Sequence, residues 1–213
     1  TFLCKAPGVE GKVHVHQDWT VVDEKEFCSA TIWIPLQDVD EENGALRVLP
    51  GSHTFFNKFR NNHIPVSYRG NEQLLWDNML TIPMKAGQAF ILNHAVIHAS
   101  SPNLTNKERL VLAYAITSAN APLRFYFRSE YATNNKVEQF EMPDDFLLRY
   151  HNLGERPLIG KKVAEFDYQV PAIDTTEISQ MIENERSKRN NILYFNQYWK
   201  SSEISKQRIN GEG

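Results

Sequence analysis

Four polar side chains sit among apolar, β-type runs at spacings that suggest chemistry: His16, Asp18, His98 and Arg109. In His16-Gln17-Asp18 an imidazole and a carboxylate stand two positions apart. On a strand such residues share a face, with Cα atoms about 6.5–7 Å apart, so the two side chains can share one cation. The pair alone is a weak signal. A second histidine, His98, ends the β-type run that begins at Gly87, and Arg109 follows eleven residues later at the head of Arg109-Leu110-Val111-Leu112-Ala113-Tyr114. A guanidinium entering so apolar a strand is costly to bury without an anion. A dicarboxylate ligand gripped by its planar fork would supply one. The residue types therefore suggest a cation with open coordination positions beside a site for a diacid.

Positioning these groups requires a β scaffold, and the chain reads as one. Residues 1–128 are dense in short apolar runs separated by turn signals, the pattern of a sandwich or barrel. Lys12 to Trp19 alternates strictly, and Ser29 to Leu36 is a second β-rich run. Asp38 to Gly44 is an acidic turn closed by Asn43-Gly44, a hairpin-type signal, before a short strand Ala45–Leu49. Further strands are predicted at Ala89–His94, Arg109–Thr117 and Phe125–Phe127. Residues 54–80 read as a long loop with some helix, of the kind that often forms a lid. Beyond residue 128 the chain is more charged. Asp174-Thr175-Thr176-Glu177 is a capping-box pattern that opens a helix running to about Arg189. Asn191 to Trp199 is expected to pack back on the body, and residues 200–213 read as a frayed tail. Met142-Pro143-Asp144-Asp145 reads as a loop and helix start.

Composition bounds the possibilities. The chain has 213 residues, a net charge of −3 and 41% hydrophobic residues, which suits one globular domain with an appendage. The near-neutral balance argues against a protein that grips nucleic-acid backbones. No stretch approaches the ~18 consecutive apolar residues of a membrane span, and no signal peptide is visible. Two cysteines, Cys4 and Cys28, are too few for a disulfide framework and read as free thiols in a reducing cytoplasm. The chain opens straight into a strand without an initiator Met, so upstream residues are expected.

Two histidines and one carboxylate on a β scaffold match the facial triad of non-haem Fe(II) oxygenases. Further marks are Trp33, the run from Asn43-Gly44 to Pro50-Gly51-Ser52-His53, and His98-Ala99-Ser100-Ser101-Pro102-Asn103 followed by Arg109. With these, residues 1–118 resemble the phytanoyl-CoA dioxygenase family of Fe(II)- and 2-oxoglutarate-dependent oxygenases. The resemblance implies a mainly β fold with flanking helices, a cupin-like double-stranded β-helix (jelly roll) with the metal at its open end. That core is expected over residues 1–170 with an insertion at 54–80, and a C-terminal helix and tail over 171–213. Members of the family usually carry considerably more chain before the His-x-Asp strand.

Carried over residue by residue, the resemblance makes His16, Asp18 and His98 the iron ligands. Arg109 and Ser100 would hold the distal carboxylate of 2-oxoglutarate, and Trp33 would stand beside it. The cofactors implied are Fe(II), 2-oxoglutarate as cosubstrate, and dioxygen. The reaction implied is oxidation of an unactivated carbon of a small molecule, with hydroxylase activity the leading form. Desaturation, ring closure and epimerisation use the same triad, whereas Asp18 argues against halogenation. The substrate and the oligomeric state are not readable.

Other residues compete for these roles. His14 shares the strand face of His16 in an unbroken alternation; it either reaches the cosubstrate's 1-carboxylate, supports a ligand, or is satisfied by a neighbouring strand. His94 rivals His98, but the Ser100, Pro102-Asn103 and Arg109 spacings run from His98. His53 reads as a turn residue, and His63 and His151 lack supporting context. Trp19 and Thr20 face the substrate mouth or pack at a strand end. Arg47, Arg60, Arg124 and Arg128 could neutralise an anionic substrate but read first as solvated surface residues. Two other classes remain: a cupin-type metalloenzyme without 2-oxoglutarate, which Arg109 and Ser100 disfavour, and a non-enzymatic binding module, which a complete triad disfavours.

Overall fold

A computed structural model of the chain describes residues 1–56, 59–129, 135–149 and 155–190. Eight strands fill the first half: β1 (Phe2–Lys5), β2 (Val13–His16), β3 (Ser29–Pro35), β4 (Leu46–Val48), β5 (Leu80–Ile82), β6 (Phe90–Asn93), β7 (His98–Ser100) and β8 (Arg109–Thr117). They form two four-stranded sheets, ordered β1-β8-β3-β6 and β2-β7-β4-β5, and every pairing is antiparallel. Apart from the β4–β5 pair, each strand lies in the opposite sheet from the next along the chain. This interleaving is the jelly roll, or double-stranded β-helix.

Alternation along the strands builds the space between the sheets. Trp33, Leu46, Val48, Leu92 and Val111 are buried in one cluster there. Each contributes roughly 1.5–3 kcal/mol on leaving water. The opposite face of the β1-β8-β3-β6 sheet keeps Phe2, Ile91, Tyr114 and Ile116 exposed.

Asn43-Gly44 makes a tight turn, with Gly44 at φ 82°. It does not close a hairpin, because β3 and β4 belong to different sheets. The Asp40 carboxylate accepts the Glu42 and Asn43 N–H groups, and the Asp40 N–H donates to Asn43 Oδ1. Local turn chemistry set the bend; sheet packing decided where the chain went next.

After residue 117 the structure departs from the sequence expectation. Beside β9 (Leu123–Phe127) lie β10 (Lys136–Met142) and β11 (Lys161–Asp167), forming a third sheet in the order β11-β10-β9. A register shift between Gln139 and Phe140 leaves the buried Val137 and Phe140 three positions apart, so period-two alternation is broken at sequence level. On β11 no residue is fully buried, and the strand carries little apolar signal. Helix α1 (Glu72–Asp77) lies inside the 54–80 excursion, and α2 (Phe146–Arg149) follows Met142-Pro143.

A third helix, α3, covers residues 175–190. Its capping box forms: Asp174 Oδ1 accepts from the Thr176 and Glu177 N–H groups, and Glu177 Oε2 accepts from the Asp174 N–H. Ile178 and Ile182 then enter a core with Leu49, Tyr68, Leu75 and Ile97. The expectations for Asn191–Trp199, residues 200–213 and His151 lie outside the described residues. Among the described residues no helix is long and apolar enough to cross a membrane.

Candidate metal centre

β2 and β7 are antiparallel neighbours, and their register pairs His16 directly with His98. The two imidazole centroids are 4.1 Å apart. Asp18, just past the end of β2, brings Oδ1 to 3.7 Å from His98 Nε2. One ligand atom from each of His16, Asp18 and His98 lies within 4.8 Å of the other two. The 82 positions that separate His16 from His98 are closed by a single strand pairing.

The local bonding orients all three. His16 Nδ1 lies 2.7 Å from the His14 carbonyl and His98 Nδ1 lies 2.9 Å from the Val96 carbonyl. A carbonyl only accepts, so each Nδ1 carries a proton, and Nε2 is the atom whose lone pair a metal would take. Thr31 Oγ1 donates to Asp18 Oδ2 at 2.9 Å, and Arg60 Nε donates to the Asp18 carbonyl at 2.8 Å. Burial, and then the neighbouring His16 ring, hold the His98 imidazole below its ordinary range and hence neutral. Two lone pairs and a carboxylate converging on one point suit a divalent transition metal.

The same three residues line a cavity of about 470 Å³ together with Lys5, Trp33, Ser100 and Arg109. Arg109 is 4% exposed, and its Nε has no hydrogen-bond partner. Its guanidinium lies 5.4 Å from the Trp33 ring centroid. Among the described residues no carboxylate forms an ion pair with it. Burial pushes its pKa down to about 10. A cation buried in this way favours an anionic partner. His16 also lines a second cavity, of about 330 Å³, with Trp19, Phe56, Phe59, Arg60 and Tyr68.

The structure thus brings His16, Asp18, His98, Ser100, Trp33 and Arg109 to one cavity, and leaves out His14. Strict alternation put His14 on the face of His16. A register shift intervenes: Val13 pairs with Ser100 and His16 with His98, three steps on β2 against two on β7. This bulge turns Val13 into the cavity and leaves the His14 side chain exposed. Only the His14 carbonyl serves the site.

His94 is 3% exposed and burial lowers its pKa; it lines neither cavity. His53 is exposed on a short 3-10 turn, and His63 packs on Phe127. Trp19 packs edge-on against Phe125 and donates to Asn62 Oδ1 while lining the second cavity.

Arg60 overturns its reading as a solvated residue. It is 8% exposed and its guanidinium forks onto Glu24 at 2.8 and 2.5 Å. Sequence reasoning missed this residue and Lys5, since a lone basic residue on a loop or strand carries no sign of its burial.

The family model for phytanoyl-CoA dioxygenase (PhyH) matches residues 1–111, a segment that contains the whole triad and Arg109. The chain belongs to the phytanoyl-CoA dioxygenase family. A phytanoyl-CoA dioxygenase of Arabidopsis thaliana is 26% identical over 152 residues, covering 67% of this chain and 49% of the relative. A phytanoyl-CoA dioxygenase domain-containing protein 1 homolog of Dictyostelium discoideum is 30% identical over 116 residues, covering 51% of this chain and 41% of the relative. The chain therefore spans about half the length, or less, of these curated relatives. Among solved structures, the epimerase SnoN in complex with Fe3+, alpha ketoglutarate and nogalamycin RO is 21% identical, with a TM-score of 0.46 over 76% of this chain and 59% of that one.

Proposed function

We propose that this phytanoyl-CoA dioxygenase family chain is the core of an Fe(II)- and 2-oxoglutarate-dependent dioxygenase that hydroxylates an unactivated carbon of a small-molecule metabolite. One observation carries the reading: a His-Asp-His cluster faces the same cavity as a buried arginine that has no carboxylate ion pair among the described residues. The donor set fits ferrous iron, being two imidazoles and a carboxylate with positions left for other ligands. Bound there, the iron supplies dioxygen activation, coupled to oxidative decarboxylation of 2-oxoglutarate to succinate and carbon dioxide.

The protein's own residues do the rest. His16 and His98 present Nε2, each fixed by its Nδ1–carbonyl contact, and Asp18 presents Oδ1 while Thr31 occupies Oδ2. Arg109 grips the distal carboxylate of the cosubstrate, with Ser100 beside it. Trp33 walls the cavity and shields that pairing from water, which strengthens it. The second cavity, across His16, receives the substrate against Trp19, Phe56, Phe59 and Tyr68. Water exclusion there protects the oxidising step from side reactions.

Anaerobic addition of Fe(II) and 2-oxoglutarate should give the visible charge-transfer band of the chelate, and oxygen should then yield succinate. Asp18→Ala should abolish succinate formation. Arg109→Ala should retain iron and raise the 2-oxoglutarate requirement. A cupin-type metalloenzyme without a cosubstrate would give no such band, and unchanged turnover in Asp18→Ala would refute the ligand assignment.

A further inference from the structure

Lys5 lies on β1 directly opposite Arg109 on β8, as its register partner. It is 6% exposed and lines the metal cavity. Its Nζ donates to Ser100 Oγ and to the Ser101 carbonyl, both at 2.6 Å. An ammonium has three protons, and the third has no partner among the described residues. No carboxylate pairs with Lys5 either, among the described residues. The fold makes room for this side chain: a Cβ on Gly44 would stand 2.8 Å from Lys5 Cδ and 3.2 Å from Nζ.

Two cations buried side by side repel each other and forgo water, a cost that an anion between them would offset. We infer that Lys5 is a second cationic contact for the distal carboxylate of 2-oxoglutarate, acting beside Arg109 and through Ser100, and that binding of the cosubstrate is therefore linked to protonation of Lys5. The inference rests on the reading of this cavity as the cosubstrate site. By occupying the acceptor side of the Ser100 hydroxyl, Lys5 leaves the Ser100 proton free to be donated to the carboxylate.

The charged group that acts on Lys5 from a neighbouring strand is Arg109. Ser100 and Ser101 contact it from β7 and the segment after it, the Gly11 and Gly44 turns pack on its stem, and His16, Asp18 and His98 share the cavity. Burial, and then Arg109, hold its pKa down to about 8. A carboxylate beside it raises that value, so the complex takes up a proton that the free protein has partly lost.

The test is calorimetry on the anaerobic, Fe(II)-loaded chain in two buffers of different ionisation heat. 2-Oxoglutarate is compared with 2-oxopentanoate, which carries a methyl group where 2-oxoglutarate has its distal carboxylate. At about pH 8.5, 2-oxoglutarate should take up a measurable fraction of a proton more than 2-oxopentanoate. Its affinity for the wild-type protein should fall by about tenfold per pH unit above about pH 8. In Lys5→Met the affinity should be weaker at neutral pH, and that slope should vanish. Equal proton uptake with the two acids, or an unchanged slope in Lys5→Met alongside a normal chelate band, overturns the role of Lys5 while leaving the cosubstrate site intact. Absence of a chelate band with either acid overturns the site reading and this inference with it.

Discussion

Replacing Arg60 with methionine keeps a flexible stem of similar bulk and removes the guanidinium fork. In the native chain that fork closes on Glu24 at 2.8 and 2.5 Å, and its Nε holds the Asp18 carbonyl at 2.8 Å. The Arg60 side chain is 9% exposed and that of Glu24 is 26% exposed. Breaking a buried pair by deleting one partner costs about 3–5 kcal/mol, because the remaining charge stays out of water. Glu24 retains some access to solvent, so about 3 kcal/mol is expected here. For a chain of this size that corresponds to a fall in Tm of about 6–12 °C, which thermal unfolding followed by circular dichroism would read. A double-mutant cycle with Glu24→Gln should return a coupling of about 1–3 kcal/mol. The loss should also reach the metal site. Asp18 is held at its carboxylate by Thr31 and at its carbonyl by Arg60, and loss of such an outer contact typically weakens metal binding about 10–100-fold. Fe(II) affinity, measured by chelator competition below the transition temperature, should fall in that range. An unchanged Tm would refute the buried-pair argument. A lowered Tm with unaltered metal affinity would refute the claim that Arg60 positions Asp18.

Other perturbations test other parts of the fold. Gly44→Ala should destabilise by about 2 kcal/mol or more, since the new methyl needs a left-handed conformation at φ 82° and would stand 2.6 Å from the Ser101 carbonyl and 2.8 Å from Lys5 Cδ. Denaturant unfolding would measure it, and a neutral substitution would mean the turn can relax. Ile178→Ala should cost about 2–5 kcal/mol and expose α3 amides to hydrogen exchange, because Ile178 is fully buried among Leu49, Tyr68, Leu75 and Ile97. Unchanged protection of that helix would show that other contacts hold it. Lys5→Met should alter the pH dependence of stability in a fixed direction. The folded pKa of about 8 lies below that of the unfolded chain, so between about pH 8 and 10.5 the unfolded chain binds the extra proton and wild-type stability rises with pH relative to the variant. A Tm difference that stays constant from about pH 7 to pH 10 would contradict the buried charge.

Much of the candidate site was legible in residue types and spacing. His16, Asp18, His98 and Arg109 stood out as polar groups among apolar, β-type runs, and the resemblance to the phytanoyl-CoA dioxygenase family tied Ser100 and Arg109 to His98. The strand Arg109–Thr117 and the capping box at Asp174 were readable for a related reason: alternation and caps are local, and a chain declares them within a few residues.

What the sequence could not declare depends on partners far along the chain. The β2–β7 bulge took His14 out of the cavity, and a bulge is a property of two strands in register rather than of one. The bulge in β10 hid that strand in the same way. Arg60 and Lys5 look like ordinary surface cations until Glu24, Asp18 and Ser100 close around them across 36, 42 and 95 positions. The sequence by itself determined which chemical groups this protein has to work with and the β scaffold that carries them. Tertiary structure decided which of its cations are buried and which histidine faces the site, because burial and register are set by long-range packing, and desolvation is what turns a common side chain into a reactive or binding one.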